Sequence, residues 1–368
     1  MKNYYVLKIF ILLLCVMYAF LPHLTLAQET VFQKGDVVAA IGNGQVNWYR
    51  PDGTLVKVLD TGLGGATTGM AFDNAGSLYV TNFDADTVSH FDASGNLLGS
   101  FGGPYGNSPE SIVVDKRGDF YVGHADLPDY AIRKFDAAGA FLEQFEVDRD
   151  DRGSDWIELS PDQCTMFYTS EGTRVKRFNV CRNTQMSDFA SGLQGKVYAL
   201  RLLSDGGVLV ADSVDILRLD AKGRIVQTYD APGEDNWFSL NRDPDGKSFW
   251  SGGFDGNLYK FDIATGNILI GPIKTCDRGI CLGGVAVFGE LTEVKTFYFP
   301  WWIIPTILLP LLILLGWFFS RRPSRLSTGR PEIRTGHIIT NAPPKSTSVK
   351  KGESIEHGKS FVSKPPKR

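Results

Sequence analysis

The stretch from Gly69 to Phe101 reads GMAFDNAGSLYVTNFDADTVSHFDASGNLLGSF. It holds four short apolar runs: Met70-Ala71-Phe72, Leu78-Tyr79-Val80, Val88-Ser89-His90-Phe91 and Leu97-Leu98. Asp73-Asn74-Ala75-Gly76, Asp84-Ala85-Asp86 and Asp92-Ala93-Ser94-Gly95 separate them. Short runs rich in β-branched and aromatic residues, bounded by Asn, Asp and Gly, read as strands joined by tight hairpins. The four strands are labelled a to d.

Strand c and its turn into strand d recur along the chain. The apolar residue that closes strand c falls at Tyr49, Phe91, Phe135, Phe178, Leu219 and Phe261, in steps of 42, 44, 43, 41 and 42 residues. An even step of that length with four strands per unit is the signature of a β-propeller. The first copy lacks strand a, because Asp36 to Ile41 already reads as strand b. The last copy is followed by an orphan strand, Gly284-Val285-Ala286-Val287-Phe288. That strand completes the first blade and leaves no innermost edge unpaired. The expected fold is all-β, a six-bladed propeller whose ring is closed by a C-terminal strand.

Working outward, residues 1–27 have Lys2 and Lys8, a short apolar core and small residues at Thr25 and Ala27, which reads as a secretory signal peptide. Residues 28–290 form the propeller and its lead-in, and 291–296 a short stalk. Residues 297–319, FYFPWWIIPTILLPLLILLGWFF, carry no charge and are long enough for a transmembrane helix. Trp301, Trp302 and Trp317 suit the membrane interface, and Arg321, Arg322 and Arg325 follow at once. Basic residues beside a span stay cytoplasmic, so the propeller is expected outside the cell membrane in a single-pass chain. The tail, 320–368, carries 12 Lys/Arg against three Glu and is expected to be disordered in the cytoplasm.

Residues 28–295 hold 38 Asp/Glu and 24 Lys/Arg, a net charge of −14 that the whole-chain value of −3 conceals. Such an acidic domain argues against nucleic acid as a partner. Four cysteines remain after the signal, an even number in an oxidising compartment. Cys164 and Cys181 stand equally far from the hairpin at Glu171 to Arg174, hence opposite each other. Cys276 and Cys281 bracket a tight loop just before the closing strand. Both pairs are expected as disulfides, Cys164–Cys181 and Cys276–Cys281.

In a propeller the b–c turns and the d-to-a connections share one face, around the mouth of the central channel, where loops vary without disturbing the blades. The b–c turns supply Asn43, Asp84, Asp86, Asp126, Asp129, Glu171, Asp212, Asp215 and Asp255. The starts of strand a add Glu110, Asp155, Trp156, Tyr198, Asp235, Trp237 and Phe238. Acidic residues interleaved with aromatics suit a protein or small-molecule ligand, with a divalent cation in the channel a further option. Asp148 to Gly153 and Asn241 to Gly246 resemble calcium loops, but Arg and Gly occupy ligand positions, so both read as turns. The propeller holds only His90 and His124, and no Gly-x-Ser-x-Gly elbow occurs. No catalytic residue is singled out.

The recurring pattern of strand a ending in Asp, then Gly-x-Leu/Phe-Tyr-Val, then Val/Ile-x-x-Phe-Asp-x-x-Gly-x-Leu resembles the NHL-repeat family. Ser108 to Val122, SPESIVVDKRGDFYV, carries the pattern most fully. The resemblance spans residues 36–290 and implies fold more than function. Enzymes of similar shape include streptogramin lyases, peptidyl-amidating lyases and the gluconolactonase group. The first two depend on histidines near the channel, and only His124 lies in a suitable turn here. The gluconolactonase group holds a divalent metal with channel carboxylates, a role open to Glu110, Asp155 and Asp212, although the neighbouring motifs differ. Two functions follow as expectations: a membrane-anchored binding or scaffold module, or a metal-dependent lactonase or lyase acting at the channel mouth.

Overall fold

The computed structural model describes residues 30–126, 128, 130–277 and 281–290. The expected signal peptide (1–27), stalk (291–296), span (297–319) and tail (320–368) lie outside the described residues. No helix among the described residues is long and apolar enough to cross a membrane.

Twenty-five strands form six antiparallel sheets, each ordered a-b-c-d from the inside out. Blade 1 joins both ends of the domain: Gly284–Val287 lies innermost, followed by Val37–Ile41, Gln45–Tyr49 and Leu55–Asp60. The closing register pairs Val37 with Val287 and Ala40 with Gly284, as the sequence leads one to expect. Blade 2 runs Thr67–Phe72, Leu78–Asn82, Thr87–Phe91 and Leu97–Ser100. Blade 3 runs Pro109–Val114, Phe120–His124, Ile132–Phe135 and Phe141–Phe145. Blade 4 has the short inner strand Ile157–Leu159, then Thr165–Tyr168 and Arg174–Asn179. Its outer strand is broken into Thr184–Gln185 and Ala190–Ser191. Blade 5 runs Val197–Leu202, Val208–Asp212, Ile216–Leu219 and Ile225–Tyr229. Blade 6 runs Trp237–Arg242, Ser248–Gly253, Asn257–Asp262 and Ile268–Lys274.

The repeated Asp-x-x-Gly turns explain the even step. Asp92 Oδ1 accepts from the backbone of Ser94 and Asn96, at 2.9 and 2.8 Å. Asp136 and Asp220 do the same in blades 3 and 5. The carboxylate thus replaces water on backbone donors that the turn would otherwise leave unpaired.

Packing follows the radial plan. Blade 1 meets blade 2 through Val38, Trp48, Leu59, Val80 and Phe91. It meets blade 6 through Val37, Tyr49, Trp250, Leu258 and Val285. The closing strand is therefore buried on both faces, with Ala286 on the blade 2 side and Val285 and Val287 on the blade 6 side. Both expected disulfides are present, each with Cα atoms 5.1 Å apart.

Inner strands of neighbouring blades come so close at the seam that a side chain is excluded. A Cβ on Gly284 would meet the Thr68 carbonyl at 2.0 Å. Gly284→Val should therefore destabilise by about 1–3 kcal/mol through overpacking. The melting temperature should fall by about 2–4 °C per kcal/mol lost. Removing the blade 4 bridge with Cys164→Ala and Cys181→Ala should cost about 2–4 kcal/mol, read by chemical denaturation of the oxidised proteins.

Candidate functional site

The long connection from blade 3 into blade 4 delivers Arg152 to the channel mouth. Its Nη2 lies 2.8 Å from Asp126 Oδ1, and its Nη1 lies 3.0 Å from Glu171 Oε1 and 3.9 Å from Glu110 Oε2. The guanidinium also sits 5.4 Å from the Phe83 ring centroid, from the b–c turn of blade 2. Lys196, entering blade 5, extends the ion network to Asp151 at 3.1 Å and Glu171 at 3.6 Å. One cation thus ties together residues from three blades. A planar guanidinium suits this because its donors point in several fixed directions at once.

Two carboxylates in this group are nearly shut off from water. Glu110 and Asp155 are each 2% exposed. Glu110 Oε2 and both oxygens of Asp155 lack a hydrogen-bond partner. Burial pushes Glu110 up to about 8; Arg152 opposes the shift, and Glu171 and Asp126 add to it. Burial and then Glu110 push Asp155 well above the usual carboxylate range, again against Arg152. Burial works against the charge of Arg152, yet Glu110, Asp155, Glu171 and Asp126 together raise its pKa. Desolvated carboxylates so close together favour holding a proton over carrying full charge.

Beside the ions lies an aromatic shelf. Phe238 stacks obliquely on Phe254 with centroids 4.1 Å apart, and Tyr198 lies 5.1 Å from Phe238. Phe254 is 37% exposed and gives the shelf its open edge.

Of the residues expected at this face, the structure brings Glu110, Asp126, Asp155 and Glu171 together and sets Tyr198 and Phe238 on the shelf. Asp84, Asp86 and Asp212 serve the backbone: they accept from Ala66 N at 2.7 Å, Ser108 N at 2.7 Å and Val214 N at 2.7 Å. Asp255 turns toward its neighbour Asn257. Trp237 presents no face to a ligand. It is 1% exposed and packs on Tyr259 and Phe261 inside blade 6, because strand-a side chains on that side fill the blade. Trp156 is 3% exposed and lies deeper, touching Phe238 at 6.5 Å and the Arg201 guanidinium at 5.6 Å. Asp129 lies outside the described residues.

His124, the one histidine in a suitable position, is fully buried with Nδ1 2.9 Å from the Ala131 carbonyl. Asp212 spends Oδ1 on two backbone amides of its own turn, while its buried Oδ2 has no hydrogen-bond partner. Among the described residues no three His, Cys, Asp or Glu side chains converge in a metal-holding arrangement. In the calcium-like stretch 241–246, Asn241 and Arg242 end the inner strand of blade 6 and only 243–246 form a turn, with Asp243 and Asp245 accepting from backbone amides.

Four participants escape the sequence reading: Arg152, Lys196, Phe83 and Phe254. Arg152 sits in an irregular connection with no counterpart in the other blades. Its signal is weak: it is one of two arginines among the four aspartates of Asp148 to Asp155.

No family model matches this sequence, and neither does any curated protein. Solved structures of similar shape do exist. Hydrazine synthase from Kuenenia stuttgartiensis aligns over 60% of this chain and 71% of its own, at 15% identity and a TM-score of 0.47. Virginiamycin B lyase from Staphylococcus aureus aligns over 55% and 68%, at 15% identity and 0.44. A streptogramin B lyase aligns over 63% and 72%, at 17% identity and 0.45. Likeness this distant bears on neither the ligand nor the chemistry of this chain.

Glu110 gives a pH test. Unfolded, it ionises near the ordinary glutamate value of 4.5; folded, it keeps its proton up to about 8. Between those values the folded state binds more protons, so its contribution to stability is lost as pH rises. Melting temperature should fall across that window in the parent protein. Glu110→Gln should flatten the fall, which differential scanning calorimetry at several pH values would show.

Proposed function

We propose that this chain is a membrane-anchored binding module of NHL-like type, displaying its propeller outside the cytoplasmic membrane. Its channel mouth would take a ligand that carries a protonated amine beside an aromatic or apolar group. The observation that carries this reading is Asp155: a buried carboxylate, with both oxygens unpartnered, between a fixed arginine and an aromatic shelf. An unpaired buried acceptor costs free energy in the empty site, and a donor from the ligand would recover it. An ammonium group brings that donor with a compensating charge. The shelf of Tyr198, Phe238 and Phe254 offers the adjoining apolar surface.

Both described ends of the propeller meet on the a–b face, where Gly35 N donates to the Phe288 carbonyl at 2.9 Å. Residues 1–27 would be removed as a signal, and the basic tail would remain inside the cell.

The test is a thermal-shift titration of the full chain in detergent with phenethylamine, with calcium and zinc in parallel. Phenethylamine should raise the melting temperature by mass action. The shift should grow from pH 6 to pH 9 as Glu110 ionises, and Asp155→Asn should abolish it. Absence of any amine-dependent shift would sink the reading. A shift produced by a divalent ion and lost in Glu110→Ala would instead favour a metal-dependent lactonase or lyase.

A further inference from the structure

The opposite end of the channel is also built from charge. A cavity of about 520 Å³ opens on the a–b face. All six innermost strands contribute to its wall. Phe72 and Phe288 form an apolar side, with ring centroids 5.0 Å apart. Arg201, Glu158, Asn241 and Glu290 form the polar side.

Glu290, three residues past the closing strand, has placed its carboxylate in this pocket. Arg201 Nε lies 3.2 Å from Glu290 Oε1, and Arg242 Nε lies 3.8 Å from the same oxygen. The backbone amide of Arg242 donates to it at 3.3 Å. Arg201 is otherwise fixed: its Nη1 donates to the Leu200 carbonyl at 2.8 Å, and its guanidinium lies over Trp156. So two buried arginines hold one carboxylate that belongs to the segment just after the closing strand.

The holding is incomplete. Arg242 Nε makes no hydrogen bond, and neither does Asn241 Oδ1, although Asn241 is only 1% exposed and lines the cavity. Glu158 accepts from Leu202 N at 2.8 Å. Burial pushes Glu158 up to about 7, against the pull of Arg201 and with a further push from Glu290. Arg242 Nε and Asn241 Oδ1 thus leave a donor and an acceptor unmet side by side, which a ligand with an acceptor and an adjacent donor would satisfy.

We propose that this basal cavity binds a small carboxylate with a hydroxyl or amino donor on the adjacent carbon and an apolar tail. The ligand carboxylate would replace Glu290 on Arg201 and Arg242. Its donor would meet Asn241 Oδ1, and its tail would lie along Phe72 and Phe288. Glu290 then acts as a resident competitor, and binding would release the chain just before the stalk. This site is separate from the mouth and does not rest on the amine reading.

Isothermal titration of the full chain in detergent with 3-phenyllactate tests it, with 3-phenylpropionate as the probe lacking the donor. Phenyllactate should bind, and phenylpropionate should bind about 10-fold more weakly, because it leaves Asn241 unpaired. Glu290→Gln should strengthen phenyllactate binding by about 3- to 10-fold, since removing the competitor's charge frees the arginines. Arg201→Met should remove binding. Because Glu290→Gln predicts a gain, a folding defect in Arg201→Met cannot masquerade as support. The proposal is overturned if neither the parent nor Glu290→Gln binds millimolar phenyllactate. It is equally overturned if binding ignores both Glu290→Gln and Arg201→Met.

Discussion

The hydrogen-bonded ladder between Gly284–Val287 and Val37–Ile41 is the constraint on which the molecule depends. Without that ladder blade 1 would lack its inner strand, Val37–Ile41 would have unpaired backbone groups on that side, and the facing sides of blades 2 and 6 would lose Ala286, Val285 and Val287. Joining the ends of the domain in one blade closes the ring. It also decides the polarity of everything else. The closing strand enters from the mouth and leaves on the a–b face, beside the lead-in at Gly35. The described ends of the domain therefore lie on the a–b face, and the basal opening receives Glu290.

Closure brings the inner strands close enough to exclude side chains at Gly284, and at Gly69, where a Cβ would meet the Glu110 carbonyl and Ser111 Cα at 2.5 Å. The channel between them holds two charge groups of different design. At the mouth one arginine faces Glu110, Asp126, Asp155 and Glu171. At the base two arginines face Glu158 and Glu290. Trp156 touches both neighbourhoods, meeting Phe238 on one side and Arg201 on the other. Buried charges are costly unless paired. Both groups keep unpartnered polar atoms, so neither is accounted for by stability alone.

Much of the architecture was legible along the chain because it is periodic. The apolar anchors from Tyr49 to Phe261 report blade number directly. The missing first strand and the surplus segment at 284–288 report the closure. The cysteine pairs were readable because each is local: two positions across one hairpin, and two ends of one short loop. The candidate site was only half legible. Loop membership placed Glu110, Asp126, Asp155 and Glu171 at one face, yet put Asp84, Asp86 and Asp212 there on equal terms. What separates them is whether backbone amides claim the carboxylate, as they do at Asp84, Asp86 and Asp212.

By itself the sequence determined the repeat, the number of blades, the closing strand and the disulfides, because each depends on spacing within or between similar units. Only tertiary structure decided which charges meet. Arg152 reaches residues of three blades from a connection that no other blade shares. Arg201, Arg242 and Glu290 converge from blades 5 and 6 and the segment after the closing strand. Contacts between residues so far apart in the chain leave no periodic trace. They exist because the radial packing of whole sheets brings the ends of separate strands to one axis.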